Sequence, residues 1–227
     1  MENTTGTSLI LYMNMGSSPC RAVWMLCKAL GLRVNVKHIN LFAREHMTPE
    51  YSKMNPQHSV PTLDDNGFIL WESRVIMTYL MDKYGKDDAL YPKDPQKRAI
   101  IDRMLYFDMV PLYYTISQHL YPQIFDGQTS NPYIEKAVHT SLQHFEGYLK
   151  DQHYACGEKL SVADFALLAS VTFLDVIDYD FIDQGFPKIS AWIQRLKREI
   201  AYYEECNSGL EEWKAMFKEN WPSVKSR

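Results

Sequence analysis

The sequence predicts an α/β domain of order β-α-β-(short α)-β-β-α followed by an all-helical domain. Three observations carry this. Short strand-like runs alternate with helical patterns up to about residue 85. A polar segment with prolines, GKDDALYPKDP at 85–95, then interrupts the chain, and the apolar patterns after it have helical spacing.

The elements follow in order. LILYM at 9–13 is an apolar run that reads as a strand and stops at Gly16-Ser17-Ser18-Pro19. A helix is predicted at about 18–31, because Ala22, Val23, Leu26, Ala29 and Leu30 recur at helical spacings and Gly31 ends the pattern. RVNVKHI at 33–39 alternates apolar and polar residues, as a half-buried strand does. VPTL at 60–63 and FILW at 68–71 read as strands joined by the turn signal Asp65-Asn66-Gly67. A helix at about 72–84 closes the first domain, and five more are predicted at about 95–126, 132–152, 161–178, 187–199 and 209–220. The expected boundaries are residues 1–86, a linker at 87–93, and 94–227.

Composition excludes several classes. With 227 residues, 46% of them hydrophobic, the chain can build a full core. A net charge of −4 argues against nucleic acid or an acidic surface as partner. Residues 1–8 are polar, and no apolar run approaches the ~20 residues that span a bilayer, so a soluble protein without membrane association is expected. The cysteines at 20, 27, 156 and 206 form no CxxC pair and no spacing suited to zinc, so no metal is expected. Cys20 and Cys27, seven positions apart on one predicted helix, are too far apart to bridge. Reduced thiols and a cytoplasmic location follow.

Three strings carry chemistry. In the first, Ser18 serves as N-cap with Pro19 at the first helical position. Ser17 is then left at the strand end with its hydroxyl free to donate to an anion or thiolate at the positive helix terminus. Both serines could equally be caps alone. In the second, Val60-Pro61 beside a strand could be cis, which would turn Val60 so that its N–H and C=O meet an extended peptide; an ordinary trans bond remains open. In the third, Ser73 at a helix start can hold a carboxylate and Glu72 an ammonium, while a routine N-cap with an acidic neighbour remains open. That pair suits the amino-acid end of a γ-glutamyl group, with His46, His58 and Arg74 available for a carboxylate.

GSSPCR at 16–21, NPQHSVPTL at 55–63 and WESR at 71–74 resemble the cytosolic glutathione S-transferases, and within them the insect delta/epsilon classes. The resemblance spans nearly the whole chain: Asp94-Pro95 through RAIIDRMLYFD resembles the first helix of that family's C-terminal domain. CGEKLSVADFAL at 156–167 resembles its buried capping box, with Ser161 and Asp164 reciprocal and Leu160 and Phe165 as staple. The tail AYYEECNSG at 201–209 leans towards epsilon. One departure is Asn14-Met15, where more apolar residues or proline are expected.

The resemblance implies a thioredoxin-like N-terminal domain, reduced glutathione as co-substrate, small hydrophobic electrophiles as partners, and a homodimer. Ser17 would stabilise the thiolate. His46 and His58 would lie near the glycyl carboxylate, Val60 with Pro61 would pair with the cysteinyl backbone, and Glu72, Ser73 and Arg74 would hold the γ-glutamyl end. Asn55 would brace the loop.

For the second substrate, Tyr106, Tyr113, Tyr114, Tyr121 and Phe125 form an aromatic stripe on the long helix, which Pro111 should kink to open a groove; core packing, the commoner use of such a stripe, and packing against a partner subunit remain open. Trp213, Phe217 and Trp221 form another near the C-terminus. The expected pocket residues are Met15, Tyr113, Ile116, Tyr121 and Phe217, in a site that selects apolar electrophiles by shape. The expected reaction is thiolate attack on an electrophilic carbon. Rival readings are thiol–disulfide chemistry at Cys20, a low-turnover carrier of hydrophobic ligands, and glutathione-dependent isomerisation, peroxide reduction or dehydrochlorination.

Overall fold

In the computed structural model, which describes residues 9–150 and 152–220, strand β1 (Leu9–Met13) buries Leu9, Leu11 and Met13, the alternate positions of a pleated strand. The sheet has four strands among the described residues. β2 (Val34–His38) runs parallel to β1, with Leu11 opposite Val36. A parallel neighbour needs a crossover, and helix α1 (Ser18–Ala29) supplies it. It ends where Leu32 N–H returns to the Cys27 carbonyl and Gly31 N–H to that of Lys28. Gly31 takes φ +65° there, the left-handed conformation that this helix stop requires.

β3 (Thr62–Asp65) pairs antiparallel with β1, and β4 (Phe68–Trp71) pairs antiparallel with β3. Their two-residue connection, Asn66-Gly67, has both residues at positive φ, as a tight hairpin of this kind demands. Between β2 and β3 lie a 3₁₀ turn at Glu45–Met47 and the short helix α2 (Pro49–Met54), and α3 (Ser73–Tyr84) closes this half. The α/β order and the all-helical second half are those read from the sequence.

The second half contains α4 (Pro95–Phe107), α5 (Tyr114–Asp126), α6 (Pro132–Leu149), α7 (Val162–Val171), α8 (Pro187–Glu199), α9 (Tyr203–Asn207) and α10 (Gly209–Asn220). The long helix expected over 95–126 is interrupted. Pro111 has no N–H to give, and the backbone around it runs as a π-helical turn at Asp108–Tyr113. The helix expected at 161–178 tightens into a 3₁₀ segment at Thr172–Ile177. α9 has five residues, too few for periodicity to reveal.

The two halves share one core. α7 is buried along its whole length, and α1 is buried on almost every side, so neither presents the single apolar stripe of a surface helix. At the start of α7 the expected capping box is present: the Asp164 carboxylate accepts from Ser161 N–H at 2.9 Å and from the Ser161 hydroxyl at 2.8 Å. It also accepts from Ala155 N–H and from the Trp192 indole, fixing the preceding loop and α8 to the same point.

Candidate functional site

The turn between β1 and α1 is built by a residue that the sequence motif marked only as a departure. The Asn14 carbonyl accepts from Ser17 N–H at 3.1 Å, and its side-chain oxygen accepts from Gly16 N–H at 2.9 Å. The Asn14 amide also donates to the Ile39 carbonyl at 3.1 Å, tying the turn to the end of β2. The N-cap is Ser17 rather than Ser18, a correction of one residue. Ser17 has the extended backbone of a cap, yet its side chain makes no capping bond and lines a cleft of about 630 Å³. Ser18 faces inward and accepts from the guanidinium of Arg21 at 3.1 Å.

Cys20 is fully buried. Its sulfur accepts from Asn14 N–H at 3.4 Å, and burial pushes the thiol up to about 12 despite the nearby Ser17 hydroxyl, Asn14 amide and Arg21 charge. A thiol so placed stays protonated and out of reach, which removes the ground for the thiol–disulfide reading.

The second string forms a braced loop. Asn55 is buried and donates to the Ser59 carbonyl at 2.9 Å and to the Thr62 hydroxyl at 2.9 Å, while accepting from Gln57 N–H. Tyr51 reinforces it by donating to the Ser59 carbonyl at 2.8 Å. The Val60-Pro61 peptide is cis, and Val60 lines the cleft. Pro61 is buried beneath it. His58 adopts φ +54°, and its Nδ1 lies 3.1 Å from the Ser52 hydroxyl and 3.3 Å from the His46 carbonyl. That leaves Nε2 as the ring nitrogen available to a ligand. His46 lines the same cleft; burial, then the neighbouring Arg44 and His58, hold its pKa below the ordinary value, so it is a neutral imidazole at pH 7.

The third string opens α3. Glu72 is the N-cap residue at φ +69° and is exposed, while Ser73 is buried at the first helical position. Arg74 is committed within the protein. Its Nε donates to Asp108 at 2.8 Å, a terminal nitrogen also contacts that carboxylate, and the other donates to the Ser73 hydroxyl at 2.7 Å. Its guanidinium carbon lies 5.1 Å from the centre of the Tyr113 ring. Glu72 and Arg74 line a neighbouring groove with Val75, Tyr91 and Tyr106, not the Ser17 cleft itself. Arg74, between Ser73 and Tyr113, joins the two.

The helical half supplies the aromatic wall. Tyr113, Tyr121 and Phe125 line the cleft, with the Tyr113 and Tyr121 hydroxyls 2.9 Å apart. Burial raises both phenols above their ordinary pKa, so both stay protonated at neutral pH. Phe42, from the loop after β2, reaches across to Phe125 with ring centres 4.9 Å apart. Trp213 of α10 packs against Phe42, Tyr121, Phe125 and Phe173. Trp213 also closes on the Ser17 turn: a Cβ on Gly16 would stand 2.1 Å from its indole nitrogen, so only glycine fits there.

Three expected pocket residues are not among those that line the cleft. Ile116 is fully buried with Leu120 and Ile124 on the stripe of α5 beside the Tyr121 stripe, so it packs in the core. Met15 lies under the start of α10, where a Cβ on Gly209 would stand 2.5 Å from its carbonyl carbon. Phe217 is half-buried against the core. Trp221 lies outside the described residues. The cleft adds Leu41, Phe42, Arg44, Ser59 and Asp126, which sequence reasoning missed. Leu41, Phe42 and Arg44 sit in an irregular loop where no periodicity marks them. Among the described residues no group of three or more His, Cys, Asp or Glu is placed to hold a metal ion, and no helix is long and apolar enough to cross a membrane.

Comparison with known proteins bears on this arrangement. Residues 7–82 match the family model for the glutathione S-transferase N-terminal domain, and residues 111–199 match that for the C-terminal domain. Among solved structures, a delta-class glutathione transferase of Nilaparvata lugens is 42% identical with a TM-score of 0.88, over 94% of this chain and 100% of that one. An epsilon-class glutathione S-transferase of the housefly, Musca domestica, is 40% identical with a TM-score of 0.87, over 94% and 98%. A glutathione transferase homologue of Drosophila mojavensis, solved with bound glutathione, is 38% identical with a TM-score of 0.88, over 94% and 98%.

Proposed function

Because the chain belongs to the glutathione S-transferase family, we propose that it conjugates the thiolate of reduced glutathione to hydrophobic electrophiles, with Ser17 as the hydroxyl that stabilises the thiolate. The observation that carries this is Ser17 itself, at the N-terminus of α1 with its side chain uncommitted to capping and lining the cleft. A free thiol has a pKa of about 8.5 and is only a few per cent ionised at pH 7. Lowering it by about two units takes roughly 2.7 kcal/mol. A hydrogen bond to a charged sulfur contributes about 1.5–3 kcal/mol and a helix N-terminus about 0.3–1, which together reach that figure.

Glutathione as co-substrate agrees with the ligand of the Drosophila mojavensis homologue. Its cysteinyl backbone pairs with the N–H and C=O of Val60 beside the buried Pro61. Its glycyl carboxylate lies towards His58 and His46, with Arg44 supplying the fixed charge at the rim. Its γ-glutamyl end is held by Glu72 and Ser73, with Arg74 orienting the Ser73 hydroxyl. The electrophile lies against Tyr113, Tyr121 and Phe125. Attack forms the carbon–sulfur bond as the leaving group departs or the acceptor takes a proton; the protein contributes proximity and a ready thiolate. Detoxification in the cytoplasm is the role that suits this chemistry.

The protein also acts as a homodimer. The groove beside Glu72 and Arg74 is lined by exposed Val75 and Tyr106, an apolar face that a second copy would cover. Light scattering on the wild type and Tyr106→Glu tests this: a dimer converted to monomer supports it.

The decisive assay is conjugation of glutathione to a chloronitrobenzene by wild type, Ser17→Ala and Cys20→Ala. Activity lost in Ser17→Ala and retained in Cys20→Ala is expected. Equal activity in Ser17→Ala and wild type would overturn the serine role. Glutathione binding without turnover by the wild type would favour the carrier reading.

A further inference from the structure

One buried cation, Arg21, makes no ion pair with a carboxylate among the described residues. Arg21, on the first turn of α1, is fully buried. Its guanidinium donates to the Ser18 hydroxyl at 3.1 Å, the Ala169 carbonyl at 2.6 Å, the Thr172 hydroxyl at 3.1 Å and the side-chain oxygen of Asn207. Its Nε has no partner. These partners come from α1, α7, the 3₁₀ segment and α9, and all four are neutral. Among the described residues no Asp or Glu lies within ion-pair distance of Arg21. A buried charge is costly unless paired, so a site that holds one with neutral groups keeps its field instead of cancelling it.

The position gives that field a target. Arg21 N–H donates to the Ser17 carbonyl at 3.0 Å, the first hydrogen bond of α1, and its side chain grips Ser18. Backbone and side chain therefore both hold the turn that presents the Ser17 hydroxyl. We propose that Arg21 is a positioning residue that fixes the Ser17 turn and, as an unneutralised buried cation behind the α1 N-terminus, stabilises the thiolate of bound glutathione. It adds to the helix terminus a full charge of the same sign, in surroundings that water does not screen. The proposal rests on the glutathione-thiolate reading above.

The groups around Arg21 leave its charge in place. Burial lowers its pKa to about 10, while Tyr203 of α9, Asp175 of the 3₁₀ segment, Tyr121 of α5 and Cys20 of α1 act in the opposite direction. Cys20 and Tyr121 are themselves neutral at pH 7, because burial raises both. Asp175 is engaged by Lys197 at 3.5 Å. Arg21 therefore remains protonated throughout the range in which a thiol titrates.

The test is an ultraviolet titration of the thiolate in the enzyme–glutathione complex, for wild type, Ser17→Ala, Arg21→Met and Asn207→Asp. Arg21→Met removes the charge but strands its partners and can fail to fold. Asn207→Asp keeps Arg21 and supplies the missing negative charge at the residue it already touches. The expected result is a bound thiol whose pKa rises by about one unit in each folded variant, a tenfold smaller thiolate fraction at pH values below it. Conjugation should fall in step at pH 6.5 and recover at high pH, with the glutathione KM little changed. A purely structural role would lower activity at every pH without moving the titration. A depressed wild-type value left unmoved in Asn207→Asp overturns the Arg21 proposal alone. A wild-type thiol titrating at the free value overturns the underlying reading, and this proposal with it.

Discussion

The two walls of the cleft are made in different ways. The wall built on the sheet uses backbone geometry and short polar side chains, Ser17 at a helix start and Val60 before a cis proline, and Ser73 opens another helix at the neighbouring groove of Glu72 and Arg74. Each comes from a string of a few consecutive residues and is braced locally, by Asn14 for the first, Asn55 for the second and Arg74 for the third. The helical wall uses rings: Tyr113, Tyr121 and Phe125, backed by Trp213 and Phe173 from distant segments. The first can recognise one fixed peptide by hydrogen bonds, while the second can only offer a shape. A difference in construction of this kind separates a constant substrate from a variable one.

The largest effect expected of any substitution is at the polar wall. Ser17→Ala should lower kcat/KM with a chloronitrobenzene by about 100-fold, the kinetic equivalent of one lost charge-assisted hydrogen bond in the transition state, with the glutathione KM changed far less. An equal rise in KM would mean that Ser17 serves binding, and the division between the walls would blur. Gly16→Ala should damage both walls, because its Cβ would stand 2.1 Å from the Trp213 indole nitrogen. Calorimetry should show a loss of about 1–3 kcal/mol, as overpacking costs elsewhere, together with weaker conjugation.

A smaller and more selective change is expected from Tyr121→Phe, which removes one of two hydroxyls 2.9 Å apart. Rates for different electrophiles should shift relative to one another by about two- to tenfold at constant glutathione KM. A changed KM would show that the aromatic wall reaches the peptide.

The smallest effect concerns the support beneath the polar wall. Burial would raise the Asp65 carboxyl, but donation from Lys83, Tyr79, Tyr84 and Asn66 outweighs it and lowers the group to about 2. The folded value lies below the ordinary 3.8, so the group stabilises the fold above about pH 4 and loses this contribution as pH falls towards 2. In Asp65→Asn that part of the acid slope in melting temperature should vanish. An unchanged slope would assign it to other carboxylates.

The same contrast explains what was legible in the sequence. The α/β order, the hairpin at Asn66-Gly67 and the Ser161/Asp164 capping box are readable because each depends on neighbours a few residues away, whereas the bracing role of Asn55 comes from the family resemblance. The Ser17 cap was misplaced by one residue, since Ser17 and Ser18 are interchangeable as local capping signals and only the inward pull of Arg21 on Ser18 separates them. Asn14 looked like a departure, yet its side chain closes the turn. The spacing alone puts Ile116 in the pocket, whereas the π-helical turn at 108–113 and the packing of α5 decide which stripe faces the cleft. Phe42 and Arg44 gave no signal at all, because they reach the cleft from an irregular loop.

The most direct test of the central claim is the titration of the glutathione thiol in the binary complexes of wild type and Ser17→Ala. The account predicts a wild-type value about two units below the free thiol's 8.5 and a return towards that value in Ser17→Ala. A wild-type complex whose thiol titrates like free glutathione, or a Ser17→Ala complex that keeps the full depression, would contradict it.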